Sequence, residues 1–343
     1  MPKVSLDLTG KWEFKQYPLS ARRMRDLDSA DWLQTNVPSS IFTSLIQAGQ
    51  IKRSEIDANP ENFTHISEKP WLYRKIFDAP AEMLDCDRVD LAFEGLDTIA
   101  SIWLNGKLIG KTNNMFIPFR FDVTQYLKPQ NNSLLVKFEP PVRYAKRLMN
   151  RYTSFSESDF INPYRVYIRK AQYQFGWDFC PALPGCGIWQ PVRLEAIKKA
   201  RLADLHIRTV HCNHQYADIK IDIKLDTTVN EEFLCKLTLA HDHEMAEQTL
   251  AFKPGQDLYS TLIRIEKPAL WWPAGYGRQN LYQINPKIME AQKLCCYRWN
   301  SLIQSTTYRI CSSLSSGNMG RDKILWAALS VIEKSPSLYS KKP

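Results

Sequence analysis

The stretch ADIKIDIKLD, Ala217 to Asp226, alternates apolar and charged side chains without a break. A period of two puts Ala217, Ile219, Ile221, Ile223 and Leu225 on one face and leaves Asp and Lys on the other. That is the signature of an antiparallel strand with one buried and one wet face. FLCKLTL repeats it with Phe233, Cys235, Leu237 and Leu239, and RVDLAF places Val89, Leu91 and Phe93 together. Between SIWL and KLI stands Asn105-Gly106, whose residues tolerate the positive φ of a tight hairpin turn. Half-buried strands of this kind must cover their apolar face with a second sheet, so residues 1–290 predict an all-β architecture of two sandwiches. One short helix is expected in PPVRYAKRLMNR, with Pro141 in its first turn and Val142, Ala145, Leu148 and Met149 as its apolar stripe.

The charged stretch EAIKKARLADLHI is the expected seam, giving domains at 1–197 and 198–290. Residues 291–343 read differently, as an atypical tail that gathers cysteine and serine, loses its acids and fits neither sandwich. The abrupt change points to an out-of-frame or altered exon end, poorly defined in structure, in which DKILWAALSVIEK is the one candidate amphipathic helix. Net charge is +9, of which +6 lies after Glu290, and no basic helix or RNA-binding fingerprint accompanies it. Nucleic acid is therefore not an expected partner. No apolar run approaches the roughly 18 residues of a membrane span, and the start, MPKVSLDLTGKWEF, is strand-like rather than leader-like. A cytoplasmic chain without a membrane partner is expected. Its eight cysteines have no regular spacing and read as reduced thiols. His211, Cys212, His214, His241 and His243 match no zinc pattern. The glycosylation triplets at Asn62 and Asn131 carry meaning only in a secreted protein.

Six segments, in order, carry a resemblance: LTGKWEF, DWLQTNVPSSIFTSLIQAGQI, PWLYRKIFDAP, LAFEGLDTIASIWLNGKLIG, VYIRKAQYQFGWDFCPALPGCGIWQPVRL and PALWWPAGYGRQNLYQI. Together they resemble the amino-terminal half of β-mannosidases of glycoside hydrolase family 2. The resemblance implies a galactose-binding-like jelly-roll sandwich, an immunoglobulin-like β-sandwich and then a (β/α)₈ barrel bearing two catalytic glutamates about 5 Å apart. A barrel takes roughly 250 residues, whereas 53 follow Glu290 and Glu333 is the one glutamate among them. No catalytic residue is assigned here. The expectation is a truncated β-mannosidase-like hydrolase, inactive alone, whose family reaction is retaining hydrolysis of terminal non-reducing β-D-mannose. A stand-alone carbohydrate-binding module, or a subunit that completes a separately encoded barrel, are the alternatives. The family uses neither metal nor organic cofactor, and a β-mannoside oligosaccharide is the implied partner.

The same resemblance places FGWDFCPALPGCGIWQPV at the mouth of the barrel. Trp177 would wall a sugar ring and Asp178 would accept from its hydroxyls, with Pro181, Pro184 and Pro191 limiting the loop's freedom. The competing reading has Asp178 capping a turn and Trp177 buried between domains. Arg169 and Lys170 are candidate donors to a carboxylate or hydroxyl, or else simply solvated cations. The family pattern Trp-Asp-Trp-Gly-Pro is broken here by Phe179 and Cys180, and Cys180 would be strained if its φ were positive. Cys186 stands where a small polar residue is expected. Trp271 and Trp272 are expected to pack structurally at the end of the second sandwich.

Overall fold

A computed structural model of the chain describes residues 4–17, 31–152, 162–178, 180–242 and 244–290, together with three later strands. The chain divides into two compact units, Val4–Ala196 and one that begins at Ile197. Each is a β-sandwich, and among the described residues no sheet closes into a barrel.

In the first unit, a jelly roll, a six-stranded antiparallel sheet runs in the order Leu33–Val37, Gly10–Gln16, Trp71–Phe77, Asn132–Phe138, Ile99–Leu104, Lys107–Asn113. A four-stranded sheet, Ser5–Asp7, Val192–Ile197, Arg88–Phe93, Phe119–Asp122, covers it. Trp12, Phe14, Tyr73, Val136 and Phe138 from one sheet meet Leu91, Phe93 and Leu194 from the other in a single apolar cluster. Trp12 is sealed there because its indole Nε1 donates to the Leu8 carbonyl at 2.7 Å, leaving no polar atom unpaired. Asn105 (φ 51°) and Gly106 (φ 82°) make the expected tight turn between paired residues Leu104 and Lys107.

The helix expected from PPVRYAKRLMNR is present as Pro141–Met149, with Pro141 in the first turn and Val142 and Ala145 buried. Three further short helices, Ile41–Gln47, Arg53–Ala58 and Ala81–Leu84, correct the expectation of one. Ile41–Gln47 is fixed by tertiary packing rather than by length: Ile41 and Leu45 are buried one turn apart, and Ser40 caps the Thr43 N–H at 3.2 Å.

The second unit is an immunoglobulin-like sandwich. One sheet pairs Ala200–Cys212, Tyr216–Thr227 and Leu258–Glu266; the other pairs Glu244–Phe252, Phe233–His241 and Tyr282–Glu290. The alternation of ADIKIDIKLD is realised directly, with Ile219, Ile221 and Ile223 at 0% exposure facing Phe233, Cys235 and Leu237 within one core.

Three short strands after Glu290 extend this second sheet. Leu302–Ser305 and Thr307–Ile310 both pair with Tyr282–Glu290, and Glu333–Ser335 pairs in turn with Thr307–Ile310. Tyr282–Glu290 would otherwise present an open edge, which pairing satisfies. Of the helix expected in DKILWAALSVIEK, Glu333 and Lys334 are in this strand and the remainder lies outside the described residues.

Candidate functional site

The Trp-Asp pair sits on a small hairpin outside the two large sheets of the first unit. Phe175–Trp177 pairs with Cys180–Ala182, in the register Phe175 to Ala182 and Trp177 to Cys180, so Asp178 falls in the turn. Alternation decides what each residue faces. Tyr173 and Trp177 are 59% and 54% exposed, whereas Phe175 between them is 1% exposed. Phe175 closes a satellite cluster with Val142, Ala145 and Ile168, and its ring meets Tyr164 edge-on at 5.9 Å. Asn162 Nδ2 donates to the Phe175 carbonyl at 2.6 Å, which ties the hairpin to the turn before it.

The left-handed backbone of this hairpin falls on Gly176 (φ 99°) and Asp178 (φ 33°). Cys180 is an ordinary strand residue, so the strain anticipated there does not arise. Aspartate is among the few side chains that accept such a φ cheaply, because its short carboxylate bonds locally or to solvent. Asp178 is exposed and accepts no hydrogen bond from the described residues. An exposed indole beside an exposed carboxylate offers an apolar wall and a hydrogen-bond acceptor side by side.

Sequence reasoning overlooked Arg165. Its guanidinium lies 5.7 Å from the Trp177 ring centroid, a cation–π contact on the ring. Its Nη1 is buried without a hydrogen-bond partner among the described residues. Arg165 lies twelve residues upstream in the short 3-10 helix Pro163–Tyr167, and no local sequence pattern couples it to Trp177.

Arg169 and Lys170, neighbours in sequence, part company in the structure. Arg169 is exposed and its Nη1 donates to Asn113 Oδ1 at 3.1 Å. Lys170 is not solvated: its side chain is 0% exposed and its ammonium pairs with Asp97 and donates to the Gly185 carbonyl at 2.8 Å. Burial pulls the Lys170 pKa down, and the Asp97 carboxylate opposes that pull. Cys186, beside the pair, is buried, and the loss of water pushes its thiol up, out of reach of ionisation.

A cleft of about 1180 Å³ opens between helix Pro141–Met149 and the outer face of the strands Ile99–Leu104 and Lys107–Asn113. It is lined by none of Trp177, Asp178 and Arg169, though Asn113 on its wall is the residue that Arg169 donates to. Among the described residues no cluster of three His, Cys, Asp or Glu could hold a metal. His211 stacks on Tyr216 and His241 leans on Tyr282, while His243 lies outside the described residues. In the second unit Trp272 is 36% exposed and rests against Gly277, where an added Cβ would come within 2.8 Å of the indole.

Comparison with known proteins adds to this geometry. Residues 12–190 match the glycosyl hydrolase 2 galactose-binding domain-like family, and residues 200–295 match glycosyl hydrolases family 2. Beta-mannosidase B of Aspergillus oryzae is 33% identical over 282 residues, covering 79% of this chain and 33% of that protein. The Aspergillus niger protein of the same name is 32% identical over 285 residues, covering 80% and 33%. The chain thus spans about a third of the length of these relatives. The crystal structure of beta-D-mannosidase from Dictyoglomus thermophilum superposes with a TM-score of 0.79 at 29% identity, over 90% of this chain and 36% of that one. Bacteroides uniformis beta-glucuronidase, at 14% identity and a TM-score of 0.61, covering 90% of this chain and 32% of its own, shares the fold alone. With one family model spanning more than half of the chain and a second taking up the sandwich that follows it, this chain belongs to glycosyl hydrolase family 2, as a β-mannosidase-like sugar-binding and immunoglobulin-like region.

Proposed function

We propose that this chain provides the sugar-facing part of a β-mannosidase site and works in retaining hydrolysis of terminal, non-reducing β-D-mannose only when joined to a catalytic barrel. Residues 1–343 taken alone are inactive, because acid catalysis and the covalent intermediate both need carboxylates on such a barrel. The carrying observation is the exposed Trp177 and unengaged Asp178 on a hairpin whose base is buried. Trp177 stacks on the apolar face of the mannose ring, Asp178 accepts from its hydroxyls, and Arg169 at the rim donates to the leaving saccharide. No metal or organic cofactor takes part. The free thiols of Cys86, Cys180, Cys186, Cys212 and Cys235 support placement in the reducing cytoplasm.

The test is titration of the chain with methyl β-D-mannoside, followed by saturation transfer from the protein to the ligand's own proton resonances. A half-site buries little ligand, so weak binding with a dissociation constant on the order of millimolar is expected, and Trp177→Ala and Asp178→Ala each abolish the response. A response that survives both substitutions contradicts the assignment.

A further inference from the structure

We propose that Lys170 is a positioning residue for the Trp177–Asp178 hairpin, its buried ammonium tying the two stems of that hairpin to each other and to Asp97 in the jelly-roll core. The proposal rests on the sugar-facing reading of the hairpin.

A two-stranded hairpin with three residues to a strand is marginal by itself, so order in Phe175–Ala182 has to come from its ends. The downstream stem is firmly held. Ile41 N donates to the Cys186 carbonyl at 2.7 Å and Ser39 N to the Ile188 carbonyl at 2.8 Å, while Gly187 and Ile188 pair with Asp97 and Leu96. Gly187 packs so closely that an added Cβ would lie 2.3 Å from the Ser39 carbonyl oxygen. The upstream stem is held at Arg169, whose carbonyl accepts from Met115 N at 3.0 Å. Lys170 is the direct link between the two. Its Nζ reaches Gly185 O across fifteen residues of sequence and Asp97 across seventy-three. A lysine has three donors and no acceptor, so one ammonium can serve the far stem and the core anchor together.

Stability alone is a poor account of this arrangement. Taking an ammonium and a carboxylate out of water costs several kcal/mol each before their attraction offsets it, and an apolar pair of similar volume commonly does as well. An apolar pair would not bond the Gly185 carbonyl. The distinctive contribution of Lys170 is therefore the fixed separation of the stems, which sets where Trp177 and Asp178 stand before ligand arrives. Binding then carries less ordering cost.

The experiment compares wild type, Lys170→Met and Lys170→Met/Asp97→Asn by amide hydrogen exchange and by methyl β-D-mannoside titration. Lys170→Met leaves the Asp97 carboxylate buried without its partner and lowers the unfolding midpoint. The double variant removes both charges and recovers the midpoint. Even so, exchange at the Trp177 and Cys180 amides accelerates about tenfold or more in the double variant, and mannoside affinity falls by about the same factor. Protection in the strands Trp71–Phe77 and Ile99–Leu104 stays at the wild-type level. A double variant with recovered midpoint and wild-type hairpin exchange overturns the proposal. Wild-type protein supplies a check that no variant's folding can spoil, since hairpin amides no better protected than an open loop overturn it equally. If the wild type gives no saturable response to mannoside, the sugar-facing reading falls and the clamp is judged by exchange alone.

Discussion

Phe175→Ala should destabilise the first unit by about 3 kcal/mol, although the residue lies in a loop-like stretch between two exposed aromatics. The magnitude comes from burial. Phe175 is 1% exposed and closes a cluster of four buried residues against Tyr164. Truncating a buried phenylalanine costs about 3–5 kcal/mol, which includes the edge-on aromatic contact. The lower end applies because Tyr144 and Tyr164, half-buried beside it, can sink part of the way into the void. Phe175→Leu preserves most of the volume and should cost about 1 kcal/mol. Tyr173→Ala, two residues away and 59% exposed, should stay within about 0.5 kcal/mol. The assay is urea unfolding of the whole chain, followed by the indole resonances of Trp12 and Trp71, both buried in the first unit. Midpoints are compared at constant slope. Equal losses for Tyr173→Ala and Phe175→Ala, or a loss below about 1 kcal/mol for Phe175→Ala, would refute the alternation assigned to the hairpin.

Two further outcomes follow from the packing. Gly187→Ala, whose Cβ would sit 2.3 Å from a backbone carbonyl at φ 156°, should cost at least about 3 kcal/mol by forcing the downstream stem off Ser39, and should loosen hairpin amide exchange with it. Cys235, 0% exposed in the second core, has its thiol pushed from 9.0 up to about 12 by burial. Its folded form keeps the proton that the unfolded form releases, so its contribution is intact below about pH 9 and is lost as pH rises toward 12, by about 1.4 kcal/mol per pH unit. The stability difference between wild type and Cys235→Ala, measured at intervals from pH 8 to pH 11, should shrink with that slope; a difference independent of pH would show the thiol to be solvated.

Local chemistry was readable in the sequence and long-range pairing was not. Asn105-Gly106 and the Ile219–Ile223 alternation carry their structure in adjacent residues, because turn φ and strand period are local properties. Ile41–Gln47 escaped notice because its helix is seven residues long and owes its order to Ile41 and Leu45 entering the apolar core of the first unit. The Trp177–Asp178 motif stood out by resemblance, yet the residues bracing it did not. Lys170 looked like a surface cation beside Arg169 until Asp97, seventy-three positions earlier, drew it into the core. Arg165 reached Trp177 through a fold that no spacing rule describes. The backbone strain anticipated at Cys180 settled instead on Gly176 and Asp178, because pairing Trp177 with Cys180 makes Asp178 the turn.

The most direct test of the account is release of p-nitrophenol from p-nitrophenyl β-D-mannoside by this chain, alone and mixed with a family 2 β-mannosidase barrel polypeptide. The account predicts no turnover by the chain alone, turnover on mixing, and a further loss of about 10- to 100-fold with Asp178→Ala, the worth of a charged hydrogen bond to a sugar hydroxyl. Turnover by residues 1–343 alone, or full activity of the mixture carrying Asp178→Ala, would contradict it.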